Sequence, residues 1–310
     1  MIDIKFQKEN LIKSPLNYTG GKYKLLPQLL PLFPDKIDTF IDLFCGGCNV
    51  GINVNANKII CNDIEEHIIN LMLVFKEYSK EKIFNSILHI IKEYKLSDST
   101  IKSYNDYNCN SSDGLGRYNK DAYLELRQCY NNKPNKNTYE ANIMFYILTC
   151  YSFSNQIRFN SKEEFNMPYG KRDFNKSMRD KLNRFLDKIH NIDMKFINND
   201  FLQLKINKLN KTDFVYCDPP YLISCASYNE QNGWNKDKEE RLLDLLDRIH
   251  KSNIKFALSN VLENKGKSNN ILKEWSNKYN IHHLNNTYSN CNYHRKDKIK
   301  NSDEVLITNY

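Results

Sequence analysis

An α/β architecture built on a mostly parallel sheet is the fold class this sequence predicts, and three observations carry it. Short β-branched or aromatic runs, bounded by polar or turn residues, recur along the chain and read as buried strands. Amphipathic helical patterns separate them, the rhythm of parallel strands joined by crossover helices. That rhythm stops between about Lys76 and Asn191, where the pattern is largely helical. The economical organisation is one α/β domain made of residues 1–75 and 190–310, interrupted by an inserted, mostly helical domain of residues 76–189.

Taken in order, a short helix after Lys22 stops near Pro31 and Pro34. Asp38–Phe44 (DTFIDLF) and Lys58–Asp63 (KIICND) read as the first strands, and Glu65–Lys80 as an amphipathic helix. The insert offers helices at Ile83–Tyr94, Ala122–Tyr130, Ala141–Tyr151 and Met178–Ile189, with polar loops at Ser97–Asn119 and Asn131–Asn137. Strands resume at Lys195–Asp200, Asp213–Asp218, Ile254–Asn260 and Glu304–Asn309. Between them, Lys236–Lys251 carries Leu242, Leu243, Leu245, Leu246 and Ile249 as one helical stripe.

Composition narrows the function classes. A chain of 310 residues buries a core without disulfide or metal staples. No stretch approaches the ~18 uninterrupted apolar residues of a membrane span. The start carries Asp3, Lys5, Lys8 and Glu9 and reads as lacking a signal peptide. Nine scattered cysteines, an odd count, read as reduced thiols of a cytoplasmic protein. The net charge is +8, and Lys251–Lys300 holds ten basic residues against three acidic ones. Such a patch suits a polyanion, although a solvated lysine-rich face looks the same on charge alone.

The first strand runs into Asp42-Leu43-Phe44-Cys45-Gly46-Gly47-Cys48-Asn49-Val50-Gly51, a glycine-rich turn that lets backbone approach a ligand. The next strand ends in Asn62-Asp63, placing a carboxylate where ribose hydroxyls are held. Together they suggest an adenosine-containing cofactor. Nicotinamide and S-adenosylmethionine sites share this architecture, and the G-x-G-x-x-G spacing is absent. Cys45 and Cys48 form a C-x-x-C with no second ligand pair for zinc, so they read as small fillers; His282-His283 reads as strand. Tyr18-Thr19-Gly20-Gly21-Lys22 fails as a phosphate loop, because Leu16 and Tyr23 stand where that motif needs Gly and Ser or Thr.

Asp218-Pro219-Pro220-Tyr221 follows a strand and therefore lies at the same sheet edge as the glycine loop. Methylating an exocyclic amine is hard because its lone pair is delocalised into the ring. Acceptors on its two N–H groups, which the Asp218 carboxylate and the Pro219 carbonyl would supply, draw the nitrogen toward a tetrahedral geometry, whereas a Pro-Pro turn that only closes a strand would read the same. The prolines stiffen the turn, and Tyr221 offers a ring for the base to stack on. A base inside a duplex has to be flipped out to reach such a site.

Together these residues resemble the Dam-type, alpha-class DNA adenine-N6 methyltransferases. Pro15–Lys22 resembles the family's P-L-x-W/Y-x-G-G-K element, Asp42–Gly47 its cofactor loop, Asn62-Asp63 its ribose acid and Asp218–Tyr221 its catalytic tetrapeptide. The resemblance runs nearly end to end. It implies a Rossmann-like S-adenosylmethionine-dependent sheet with the insert as target-recognition domain. It implies that Tyr18, Lys22, Asp42, Phe44, Cys45, Gly46, Gly47, Asp63, Asp200, Phe201 and Asp218 line the cofactor site, with Lys22 on the methionine carboxylate and Asp200-Phe201 bracketing the adenine. Asp218, Pro219, Pro220 and Tyr221 would be catalytic. Ser154–Asn160 through Glu164–Gly170 resembles the recognition hairpin. There Arg158 would read a base, with Asn155, Gln156 and Asn160 beside it and Lys162, Lys171 and Arg172 on phosphates. We also expect the late loop Ser289–Ser302, with Arg295, Lys296, Lys298 and Lys300, to clamp the DNA backbone. No metal is implied. The implied partner is double-stranded DNA. A cognate restriction endonuclease acting separately on the same site is compatible, as is a phage or orphan modification role, and the chain would be a monomer or weak dimer.

Rival readings have their own signatures. Cytosine-N4 enzymes usually carry Ser before Pro-Pro-Tyr, and cytosine-C5 enzymes attack through a Cys after Pro, which is lacking here. A non-enzymatic DNA-binding module leaves Lys22, Asp63 and Asp218 unexplained. A nicotinamide oxidoreductase explains the glycine loop but not Asp218–Tyr221.

Overall fold

The computed structural model of the chain describes residues 11–223, 233–285 and 302–310. Its frame is a sheet of β1 (Thr39–Asp42), β2 (Lys58–Asp63), β3 (Met194–Asn198), β4 (Phe214–Cys217), β5 (Lys255–Asn264), β6 (Lys267–Ser268), β7 (Asn280–His283) and β8 (Ser302–Thr308). The spatial order is β3-β2-β1-β4-β5-β8-β7, with β6 paired to β5 off that path. β3 through β5 are parallel, while β8 runs antiparallel to both β5 and β7. The helices are α1 (Leu26–Leu29), α2 (Glu66–Glu77), α3 (Lys80–Glu93), α4 (Gly116–Asn131), α5 (Tyr139–Tyr151), α6 (Lys176–His190), α7 (Lys236–Lys251) and α8 (Asn270–Ser276). This is the expected Rossmann-like α/β sheet.

Strand alternation sorts side chains onto two faces, and both are covered, which is why the strands read as continuous apolar runs. Phe40, Ile59, Cys61, Phe214, Tyr216 and Leu306 pack with α1, α2 and the helices that follow. Ile41, Val215, Phe256, Leu258, Val305 and Ile307 pack with α7, α8 and Phe201. The α7 stripe, Leu242 to Ile249, is buried on that second face, each side chain contributing roughly 1.5–3 kcal/mol. Its start is fixed by Asn235, whose side chain accepts the Lys238 N–H. α3 to α6 lie between β2 and β3 in the chain, and α5 is buried all round from Ala141 to Tyr151. No helix among the described residues is long and apolar enough to cross a membrane.

Several bounds differ from the sequence pattern for local reasons. β1 ends at Asp42, because the chain turns there and Leu43 gives its N–H to Tyr216. α4 begins at Gly116, inside the stretch that reads as loop; Arg117, Tyr118, Lys120 and Asp121 face solvent and hide the helix behind polar sequence. β8 starts two residues early, at Ser302, and β6 and α8 are too short to leave a periodic signal. His282-His283 lies in β7, a strand as its sequence suggests. The chain runs outward from β1 through β2 to β3, then returns to β4 on the other side of β1. Ligands bind at such a switch point, beyond the carboxyl ends of the strands.

Candidate active site

The glycine loop is pinned to the end of β2. Cys45 donates its N–H to the Asn62 carbonyl at 2.8 Å, and Gly46 donates to Asp63 Oδ2 at 2.7 Å. Asp63 Oδ1 accepts the Glu65 N–H at 3.0 Å, tying the same carboxylate to the start of α2. Gly46 has φ +46, and a Cβ there would meet Tyr18 Cδ1 at 2.8 Å, so glycine is what lets the Tyr18 ring lie on the loop. Gly47 backs onto Tyr18 and Ser14. Beneath the loop, Cys48 Sγ and Cys61 Sγ are 3.3 Å apart, and burial pushes the Cys45 and Cys61 thiols up, which leaves them inert packing.

Asp42 closes β1 and is buried. Its Oδ2 accepts the Gly51 N–H at 3.2 Å, while Oδ1 has no partner among the described residues. Burial raises this carboxyl well above its ordinary range, and Asp218 and Asp63 add to the rise.

The turn after β4 meets the N-terminal element at Lys22. Lys22 Nζ lies 2.8 Å from Asp218 Oδ1, 3.6 Å from Glu304 Oε1 and 3.0 Å from the Gly20 carbonyl, and sits 4.9 Å from the Tyr221 ring centre. The Tyr221 hydroxyl is 3.2 Å from both Asp218 Oδ1 and Glu304 Oε1. Asp218 Oδ2 has no partner among the described residues. The Asp218 side chain is 17% exposed against 5% for Lys22 and 4% for Glu304, so the cluster opens at Asp218. Burial raises the Asp218 carboxyl and Lys22 pulls it back; the same two causes act on Glu304. Pro219 is buried and Pro220 half-buried.

On the opposite side of the loop, Phe44 and Phe201 rings lie 5.4 Å apart, and Trp234 stands 5.7 Å from each. Asp200 caps the turn that carries Phe201 by accepting the Leu202 N–H at 2.8 Å. Trp234 donates to Glu239 Oε2 at 2.5 Å, and buried Glu239 also accepts from Asn269 and Asn260. Sequence reasoning singles out neither Trp234, Glu239 nor Glu304. Trp234 precedes the α7 cap and has a local signal; Glu304 has none.

The expected recognition segment is a hairpin, with bridges Ser152–Tyr169 and Phe159–Phe165. Arg158 Nε donates to Asn166 Oδ1 at 2.7 Å and its Nη2 to the Asn166 carbonyl at 3.0 Å. Asn160 donates to Glu164 Oε2 at 2.7 Å and accepts the Lys162 and Glu164 N–H groups. Asn155 gives its amide to the Cys150 carbonyl at the end of α5, holding Ser154 and itself in left-handed backbone. Gln156, Lys162, Lys171 and Arg172 are exposed, and Lys171 Nζ reaches the Ser112 carbonyl at 3.1 Å. Phe159 stacks on His67 of α2 at 4.1 Å, fastening the hairpin to the sheet's crossover helix. Arg295, Lys296, Lys298 and Lys300 lie outside the described residues.

Comparison with known proteins agrees with this geometry. Residues 18–290 match the family described as D12 class N6 adenine-specific DNA methyltransferase. The chain is 43% identical to the type II methyltransferase M.FokI of Planomicrobium okeanokoites, over 99% of this chain and 44% of that protein. It is 41% identical to the modification methylase StsI of Streptococcus sanguinis, over 96% of this chain and 43% of that one. It is 28% identical to a DNA adenine methylase of Haemophilus influenzae, over 79% and 78%. The chain thus spans less than half the length of the first two relatives. The family match takes in both the loop pinned by Asp63 and the turn clamped by Lys22, and on that ground the chain belongs to the D12 class N6 adenine-specific DNA methyltransferase family.

Proposed function

We propose that the chain transfers a methyl group from S-adenosylmethionine to the N6 amine of an adenine flipped out of duplex DNA. It would do so at a specific sequence, as the modification activity of a restriction–modification or phage/orphan system, in the cytoplasm. One observation carries the reading: Asp218 has one oxygen held by Lys22 and Tyr221 and the other open among the described residues, beside the glycine loop.

The residues present suit that cofactor. Asp42, Asp63 and Asp218 converge on the carboxyl edge against Lys22, and Asp42 keeps a buried oxygen without a partner among the described residues. Such a site favours a ligand that brings positive charge, as a sulfonium with an ammonium group does. Asp42 would take the ammonium, Asp63 the ribose hydroxyls, Lys22 the carboxylate, and Phe44 and Phe201 the adenine ring. Bound, the cofactor supplies an already activated methyl group, so the protein's work is alignment. Asp218 Oδ2 accepts one N6–H and the Pro219 carbonyl the other, freeing the lone pair for attack. Asp218, raised by burial, is also placed to hold the proton that N6 sheds. Tyr221 stacks on the everted base.

Residues 76–189 would be the target-recognition unit. Arg158 would exchange its bonds to Asn166 for a guanine edge, with Lys162, Lys171 and Arg172 on phosphates. Nucleoside analysis of duplex DNA incubated with the protein and labelled S-adenosylmethionine tests the reading. N6-methyladenine is expected; methylated cytosine, or no methylation, overturns it.

A further inference from the structure

Glu304 lies at the start of β8, the strand that runs against its parallel neighbours. That reversal brings its first residues to the edge where β1 and β4 end. Glu304 is buried and meets two members of the catalytic cluster: the Tyr221 hydroxyl at 3.2 Å and Lys22 Nζ at 3.6 Å. Both groups also bind Asp218 Oδ1. The two carboxylates therefore share one ammonium and both lie within reach of the Tyr221 hydroxyl, whose single proton serves one of them at a time.

We propose that Glu304 is a positioning residue for the methyl transfer: by anchoring Tyr221 and Lys22 it fixes Asp218 with Oδ1 occupied and Oδ2 presented to the base. This rests on the function proposed above. The physical need is clear. A lone carboxylate rotates about its last bond and offers either oxygen. Two fixed donors on one oxygen remove that freedom, but only if the donors are themselves held. Lys22 is a flexible side chain and Tyr221 sits on a turn, whereas Glu304 stands on a sheet strand paired on both sides, its carbonyl accepting the Leu284 N–H at 2.8 Å. Among the described residues, Lys22 from the N-terminal element, Asp218 and Tyr221 from the turn, and Tyr216 on β4 face it; its neighbour Asp303 is engaged by His283 on β7 at 2.8 Å. Burial and Asp218 both raise the Glu304 carboxyl while Lys22 lowers it, consistent with two acids sharing one cation.

The test is Glu304→Gln, which keeps shape and an acceptor oxygen but removes the charge. Expected are unchanged thermal stability, binding of S-adenosylhomocysteine within about threefold of wild type, and a kcat lower by roughly ten- to a hundredfold with little change in KM for DNA. The acid limb of kcat should move to lower pH, because Lys22, which lowers the Asp218 carboxyl, is no longer shared with a second carboxylate. Tyr221→Phe and the double variant complete a cycle, and the double variant should be no slower than the slower single one. Wild-type kcat and an unmoved acid limb in Glu304→Gln overturn the proposal, as do fully additive losses in the cycle. If Glu304→Gln unfolds, Glu304→Asp decides: its shorter side chain keeps the charge but not the reach to Tyr221 and Lys22 together, so kcat falls if the anchor matters and stays at the wild-type value if it does not. A wild-type protein without adenine methylation would instead overturn the function itself.

Discussion

Under the proposed function the turn at residues 218–221 and the hairpin at residues 152–170 would both present polar side chains to DNA, and they hold them in opposite ways. Asp218 has one oxygen held twice and the other open among the described residues. Arg158 and Asn160 have their polar atoms engaged by Asn166 and Glu164 within the hairpin. An acceptor left open inside a partly buried cluster costs the folded protein roughly 1–3 kcal/mol, recovered only when the right group arrives. Hydrogen bonds along a solvated hairpin are each worth about 0.5–1.5 kcal/mol and exchange for bonds to DNA at little net cost. On the proposed function, chemistry would use a rigid group with an open oxygen, while recognition would use groups that swap the partners they already hold.

The sharpest break comes at the rigid site. Asp218→Ala should lower methyl transfer by roughly a thousandfold or more while leaving cofactor binding largely intact. Single-turnover rates beside S-adenosylhomocysteine titration measure both. Near-normal turnover would remove the distinction between the two regions. On the proposed mechanism the carboxylate form of Asp218 would be the active one, and burial raises its pKa above the ordinary value. Activity should therefore fall as pH is lowered through a point above the ordinary aspartate pKa of about 3.9.

Asp42 extends the same logic to the cofactor. Asp42→Asn removes a buried charge that Asp218 and Asp63 oppose, so the protein without cofactor should be at least as thermally stable as wild type. Cofactor affinity should nonetheless fall by roughly ten- to a hundredfold, because the open oxygen no longer meets an ammonium as a carboxylate. Calorimetric titration and a melting curve on one preparation report both numbers. Unchanged affinity would mean that the open oxygen serves no ligand.

The hairpin predicts a different kind of loss. Arg158→Ala should reduce discrimination between the preferred site and one-base variants by roughly ten- to a hundredfold, leaving affinity for unrelated DNA nearly as it was. Sequencing of modified DNA would first identify the site, and competition between duplexes would then give the ratio. An equal loss on every sequence would make Arg158 a reader of the DNA backbone alone.

What the amino-acid sequence shows of all this depends on distance along the chain. β2 and α7 have the bounds their patterns predict, since alternation and a leucine stripe are local signals. The catalytic turn and glycine loop are legible because each is a contiguous motif. Glu304 is not: it comes 83 residues after Tyr221, and a glutamate opening a strand looks like any solvated one until the reversed β8 carries it into the site. Glu239 is hidden otherwise. It reads as an ordinary acid in the first turn of a helix, yet it is buried and holds Trp234 against Phe44 and Phe201. α4 escapes in part because its first turn is polar on the face that meets solvent.

The smallest expected effect separates the exposed cations from one another. The Lys162 ammonium and the Arg172 guanidinium have no partner among the described residues, whereas the Lys171 ammonium already holds the Ser112 carbonyl. Neutralising one cation that sits on a phosphate should lower the slope of log affinity against log salt by about 0.9. Lys162→Gln and Arg172→Gln should each approach that value, with severalfold weaker binding to any sequence. Lys171→Gln should change the slope less, because its ammonium must leave a carbonyl before it reaches a phosphate. Fluorescence anisotropy over a salt series measures all three. If the slope stays at the wild-type value in Lys162→Gln and Arg172→Gln, the DNA backbone does not run past this side of the hairpin, and Arg158 would then have to meet its base from the opposite face.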